Sequence, residues 1–202
     1  MTWDITTITG ACLGLLVAFV VHEYAHAKAA YSLGDPTSKY AGRLTLNPLV
    51  HLDPIGSIAL LLSALSSNGS LWLGWAKPVL FNRDNFKQPY LDGALVALAG
   101  PLSNLFLAFL LAVPLRFAPI PLLALVIKAN VGFGLFNAFP LPPLDGWKIL
   151  MAFVPKGLAA QMDLAEQRLG KFAPVLLLAA SFLFIAPLLG PLTRSLNGLL
   201  TP

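Results

Sequence analysis

Residues 13–26 read LGLLVAFVVHEYAH, an uncharged apolar run that ends in two histidines and one glutamate. Residues four positions apart lie on the same face of a helix, so His22 and His26 can present two imidazoles to one metal ion, with Glu23 beside them. Ionisable groups near the end of an apolar helix are costly to leave unpaired in lipid. The stretch therefore predicts a metal site on a membrane helix, with snorkelling polar groups or a chance pentapeptide as the alternatives.

The composition is that of an integral membrane protein. The chain of 202 residues is 57% hydrophobic and only 11% charged. Its net charge of +4 is spread over short loops, which fits retention of those loops in the cytoplasm better than nucleic-acid binding. The single cysteine, Cys12, excludes an intramolecular disulfide. No basic region precedes the first apolar stretch, so we interpret that stretch as a retained span and not as a signal peptide.

Four long apolar stretches predict membrane spans, at residues 5–31, 91–117, 120–139 and 172–192. Residues 51–80 contain a shorter apolar run interrupted by turn residues, which predicts a broken or re-entrant membrane segment. The expected fold class is an all-α polytopic helix bundle, forming a single domain over residues 1–202. The basic loops place the N-terminus outside the cell membrane and the His22–His26 end toward the cytoplasmic face.

Three weaker patterns concern local structure. Residues 43–46 alternate between polar and apolar, which suggests a short strand that could pair with an extended substrate; an ordinary interfacial loop is equally compatible. Residues 158–169 repeat apolar residues at helical spacing and predict a helix along the membrane interface. Gly10 and Gly14 either allow close approach of another helix or reflect ordinary glycine use in membrane helices.

A catalytic zinc site usually takes three protein ligands, so two histidines are not enough. The candidates for the third ligand at the same membrane level are Asp145, His51, Asp53 and Asp92. Asp92 begins its helix, where a carboxylate interacts favourably with the helix dipole. Asp145 follows a proline-interrupted helix end, which bends the chain toward the bundle interior. We therefore predict Asp145 as the third ligand.

Five segments together resemble the site-2 protease family of intramembrane zinc metalloproteases, in its compact bacterial form without a PDZ or CBS domain. They are HEYAH (22–26), NPLVHLDPIG (47–56), GWAKP (74–78), AGPLSN (99–104) and NAFPLPPLDG (137–146). The resemblance implies that His22, His26 and Asp145 bind one Zn²⁺ per chain and that Glu23 is the catalytic acid-base. It also implies that Asn137 matters to the site, by holding substrate backbone. We expect no span before the helix with His22, unlike in larger members of the family.

These observations predict an intramembrane zinc endopeptidase that acts on transmembrane or juxtamembrane segments, with the lipid bilayer and membrane-protein substrates as its partners. His51 could polarise an oxyanion, orient the metal ligands by a hydrogen bond, or make a structural hydrogen bond to loop backbone. Asp53 and Asn104 are weaker candidates for the site, because Asp53 is typical of a turn and Asn104 of a polar group between packed helices. The alternative functions are a non-proteolytic metal transport or chaperone protein and an apolar scaffold with incidental histidines. No pattern indicates an oligomeric state.

Overall fold

The computed structural model describes residues 5–58, 62, 77 and 79–201, and this part of the chain is helical with no strands. Its α-helices are α1 (Ile5–Ser32), α2 (Thr37–Tyr40), α3 (Pro48–His51), α4 (Pro89–Leu115), α5 (Pro121–Asn137), α6 (Asp145–Met151), α7 (Lys156–Leu169), α8 (Ala173–Ala180) and α9 (Ala186–Leu200). Residues 54–58 are also helical. A π-helical segment, Ser181–Ile185, joins α8 to α9. The predicted all-α class is confirmed.

Three helical stretches within the described residues are long and apolar enough to cross a membrane: Ile8–Ser32, Pro89–Leu115 and Leu183–Leu200. The remaining predicted span corresponds to α5, which has 17 residues. At 1.5 Å per residue α5 is about 26 Å long, shorter than a hydrocarbon core of about 30 Å. The structure thus provides three apolar helices of spanning length and one shorter apolar helix. The last helical region starts where the sequence predicts but continues past residue 192 to Leu200.

Helices α1, α4 and α5 pack against one another and form the centre of the bundle. Small residues make this close packing possible, and Ala18 on α1 and Ala108 on α4 are completely buried. At Gly14, a Cβ atom would lie 2.9 Å from Ala129 Cβ and 3.1 Å from the Leu125 carbonyl oxygen of α5. Of the two interpretations of Gly10 and Gly14, the close approach of another helix is therefore the one observed.

Of the two interpretations of residues 43–46, the loop is the one observed and the strand is wrong. These residues form a bend between α2 and α3, after a turn at Gly42 with a φ of 69°. Local hydrogen bonds replace strand pairing, because Asn47 N–H donates to Thr45 Oγ1 and the Asn47 side chain accepts from Leu49 N–H, both at 3.1 Å. Such side-chain contacts to nearby backbone offer the chain an alternative to a strand, whatever the alternation of polarity.

The predicted broken membrane segment lies largely outside the described residues, which lack 59–61, 63–76 and 78, and so does most of the GWAKP motif. Beyond it, the amphipathic stretch at 158–169 falls within α7, which is helical as predicted. Two ion pairs hold α7 to the rest of the chain: Arg83 Nη1 lies 2.8 Å from Asp163 Oδ1, and Lys148 Nζ lies 3.6 Å from Glu166 Oε1. Leu158 and Leu164 on the same helix are exposed.

Candidate metal centre

The structure brings together His22 and His26 of α1 and Asp145 at the start of α6. Asp145 Oδ2 lies 3.0 Å from His22 Nε2 and 3.2 Å from His26 Nε2. One ligand atom from each of the three residues falls within 4.8 Å of the others. The two imidazoles are nearly perpendicular, with an interplanar angle of 87°. Both histidines are buried, so the three side chains form an enclosed cluster of nitrogen and oxygen donors.

The remaining ring nitrogens of the two histidines are bound to α4. His22 Nδ1 lies 2.7 Å from Asn104 Oδ1, and His26 Nδ1 lies 2.7 Å from the Val96 carbonyl oxygen. The Asn104 amide is oriented by its Nδ2 group, which donates to the Ala18 carbonyl oxygen at 2.9 Å and to Asn130 Oδ1 at 3.0 Å. Carbonyl and amide oxygens only accept hydrogen bonds, so Nδ1 carries the proton in both rings and Nε2 keeps its lone pair.

This arrangement fits a zinc ion. Asp145 Oδ2 is buried and has no hydrogen-bond donor in the described part of the chain. It faces the Nε2 atoms of His22 and His26, so with both imidazoles neutral three electron-rich atoms would meet without a proton between them. A divalent cation removes that repulsion, and two imidazole nitrogens with one carboxylate oxygen form a donor set typical of catalytic zinc, with a fourth position left for water.

Gly100 of α4 leaves the space that the two imidazoles occupy. A Cβ atom at this position would lie 2.5 Å from both Cε1 and Nε2 of His26 and 2.7 Å from Cε1 of His22. Real Cβ atoms do not approach ring atoms this closely, so any larger residue would displace the histidines. Gly100 and Asn104 both belong to the AGPLSN segment of the family resemblance. The sequence alone predicts no role for Gly100 and only a packing role for Asn104.

The turn between α5 and α6 returns the chain to the histidines. A Cβ atom on Gly146 would overlap the Ala138 carbonyl oxygen and the Phe139 backbone, so the first turn of α6 packs directly against the end of α5. Leu144, which precedes the carboxylate ligand candidate, is buried. Glycine at position 146 thus allows α6 to begin close enough to α1 for Asp145 to meet both imidazoles.

Glu23 is also buried, and it is bound to a distant part of the chain. Its Oε2 atom accepts a hydrogen bond of 2.9 Å from the Val79 backbone N–H. The segment that begins at Val79 therefore holds the Glu23 side chain in place.

The other candidate residues make hydrogen bonds to residues outside the three-residue cluster. The ring of His51 is fully buried, and its Nε2 atom lies 2.8 Å from the Thr45 carbonyl oxygen, which corresponds to the structural alternative. Asp53 Oδ1 accepts from Gly56 N–H at 2.8 Å, as a turn residue does, and Asp92 Oδ2 accepts from Gln88 N–H at 2.9 Å at the start of α4. Asn137, the last residue of α5, donates from Nδ2 to the Phe133 carbonyl oxygen at 2.9 Å.

Comparison with known proteins identifies the family. The chain is 45% identical over 166 residues to the Bacillus subtilis protein named "Putative zinc metalloprotease YwhC", a match that covers 75% of this chain and 72% of that protein. The chain belongs to the site-2 protease family. This protease is accordingly a zinc metalloprotease, and zinc is its cofactor.

Two mycobacterial relatives are more distant. The protein named "Putative zinc metalloprotease Rip2" of Mycobacterium tuberculosis is 33% identical over 184 residues, which are 87% of this protease and 66% of the relative. Its namesake in Mycolicibacterium smegmatis is 31% identical over 144 residues, or 68% of this protease and 54% of the relative. The protease therefore spans between about half and two thirds of the length of these mycobacterial proteins. No family model and no solved structure matches it.

Proposed function

We propose that this protein is a membrane-embedded zinc endopeptidase that cleaves transmembrane or juxtamembrane segments of other membrane proteins. The supporting observation is the position of the donor cluster on an apolar helix of spanning length, Ile8–Ser32. His22 is ten residues and His26 six residues from the end of that helix, which corresponds to about 15 and 9 Å along its axis. A peptide bond that reaches the cluster must therefore come from a segment within or close to the bilayer.

In this proposal His22, His26 and Asp145 hold one zinc ion per chain, and Glu23 is the acid-base. When bound, zinc would polarise the carbonyl group of the peptide bond and make a water molecule more acidic. Glu23 accepts a proton from the water as its oxygen bonds to the peptide carbonyl carbon. It then donates that proton to the nitrogen of the leaving amine as the C–N bond breaks. The Val79 N–H keeps one oxygen of Glu23 in a fixed position throughout.

Substrates of such a site have to lose helical structure at the bond that is cut. A transmembrane helix satisfies its own carbonyl groups by hydrogen bonds between residues four apart, so they are not available for attack. Asn137, at the end of α5, is the residue we assign to holding the unwound backbone. The active site faces the cytoplasmic side of the cell membrane, as the distribution of basic loops predicts.

Zinc content and cleavage should be measured together on detergent-purified protein. Wild type and Glu23→Gln should each contain about one zinc per chain, because glutamine leaves the three donors in place, whereas Asp145→Ala should lose the metal. Asp92→Asn serves as the control, since it removes a buried carboxylate that lies outside the cluster.

Only wild type and the Asp92→Asn control should cut a panel of single-span substrates. Cleavage by Glu23→Gln at the wild-type rate would refute the assigned acid-base. Zinc binding without cleavage of any substrate would instead favour the metal transport or chaperone alternative.

A further inference from the structure

A segment distant in sequence positions the proposed acid-base. Val79 is buried, and its N–H is the donor to Glu23 Oε2. Residues 79–82 have no helical structure, so they need contacts with other parts of the chain to stay in register. Any shift of this segment along its own direction would move the N–H away from the carboxylate.

The segment is attached at two points to the turn that follows α1. The Ser38 hydroxyl donates to the Leu80 carbonyl oxygen, one residue after Val79. Asp35 Oδ2 accepts from the Asn82 N–H at 2.8 Å, three residues after Val79. Both Asp35 and Ser38 are completely buried. Because α1 carries Glu23, this helix fixes the position of the acceptor, and the residues directly after α1 fix the position of the donor.

The Asp35 carboxylate has a full set of partners. Its Oδ1 atom accepts from Asn85 Nδ2 at 2.6 Å, from Thr37 Oγ1 at 2.5 Å and from Thr37 N–H at 3.1 Å, in addition to the Asn82 bond on Oδ2. Burial raises the pKa of Asp35, but the hydrogen bonds from Thr37, Asn85 and Asn82 lower it by more, and the pKa lies below its usual value. The ionised carboxylate, an acceptor at both oxygens, is the form that this environment requires.

We propose that Asp35 is a positioning residue for Glu23: by fixing residues 79–85 against the end of α1, it holds the Val79 N–H where it orients the Glu23 carboxylate. This inference rests on the proposed function, in which Glu23 transfers the proton. Asp35 itself touches neither the metal ligands nor the substrate in this scheme, and it acts only through the segment that it binds.

Asp35→Asn is the decisive substitution because an amide cannot replace both carboxylate oxygens. Donors approach both Oδ1 and Oδ2, so in either orientation the NH₂ group of asparagine faces an N–H or O–H group. Asp84→Asn is the matched control. Asp84 is an exposed residue of the same segment, and its backbone N–H, which the substitution keeps, donates to Asn82 Oδ1.

The test measures kcat, KM and zinc content on purified protein with a single-span substrate. We expect Asp35→Asn to retain its zinc and to lower kcat by about tenfold to a hundredfold, because small displacements of a reacting group have effects of this size. KM should change by less than about twofold, because a group that acts only in the transition state does not alter ground-state binding. Ser38→Ala, a milder change that removes the second attachment, should lower kcat several-fold.

Two results would overturn the proposal. One is a kcat for both Asp35→Asn and Ser38→Ala equal to that of Asp84→Asn. The other is a decrease in kcat that is in proportion to the loss of zinc or of folded protein in each variant. That result would mean that Asp35 has only a structural role. Full activity of Glu23→Gln would instead refute the acid-base role of Glu23 in the proposed function, and that variant is measured independently of the Asp35 and Ser38 variants.

Discussion

At Gly100 the backbone of α4 runs against the rings of His22 and His26. Gly100→Ala should weaken zinc binding at least about tenfold, because the new methyl group and the two imidazoles cannot occupy the same space and the ligands must move. Competition with a chelator of known affinity measures this directly. Gly93→Ala is the control on the same helix, since a Cβ there would have ordinary contacts of 3.6 Å or more. Equal zinc affinity in the two variants would contradict the geometry.

Individual residues of the site differed in how readily the sequence could predict them. The spacing of His22 and His26 follows from helix periodicity alone, and the proline-interrupted turn suggested Asp145. The hydrogen bond between His22 and Asn104 joins residues 82 positions apart. No local pattern encodes such a contact, so Asn104 was predicted only to support helix packing. The bond between Glu23 and Val79 was missed for the same reason.

At the scale of elements, the contact between α1 and α5 depends on Gly14. Gly14→Ala should lower the free energy of unfolding by about 1 to 3 kcal/mol, since the added methyl group would lie 2.9 Å from Ala129 Cβ and force the helices apart. Thermal unfolding in detergent would show this as a lower midpoint temperature than for Gly132→Ala. That control adds the same methyl group to α5 at a position where no other helix in the described part of the chain comes within 4 Å. A midpoint no lower than the control would refute the close contact.

Helices were predicted better than the segments between them. Long apolar stretches identify α1 and α4 because only helices satisfy backbone groups over such lengths in lipid. Residues 43–46 show the limit of a periodicity argument. The polar–apolar pattern repeats only twice there, and the hydrogen bonds of Thr45 and Asn47 outweigh it. The length of α5 was overestimated because apolar residues continue beyond Asn137, where the proline-rich turn has already begun.

At the scale of the whole molecule, the connections between helices gather at two opposite ends. The Ser38–Leu80 hydrogen bond and the Arg83–Asp163 ion pair join the segment at residues 80–83 to α2 and α7 at the end nearer the metal centre. Arg116 Nη2 donates to the Leu199 carbonyl oxygen at 3.1 Å at the other end. The basic residues are concentrated at the first end, which predicts that it faces the cytoplasm.

Single cysteines introduced into a Cys12→Ala background test this orientation. A membrane-impermeant maleimide applied to intact cells should label Phe117→Cys, which is exposed between α4 and α5. Lys87→Cys should react only after the membrane is permeabilised. The opposite labelling pattern would show that the N-terminus lies inside and that the charge distribution had been misinterpreted.

The separation of the donors along the chain has a consequence for how the enzyme is made. Two donors belong to α1, whereas Asp145 belongs to α6, after the two further apolar helices α4 and α5. Proteins are synthesised from the N-terminus, and their early segments fold before the later ones exist. A chain still on the ribosome would carry both histidines without their carboxylate until α6 has been made. Proteolytic competence would then arise late in translation, after most of the bundle has entered the bilayer.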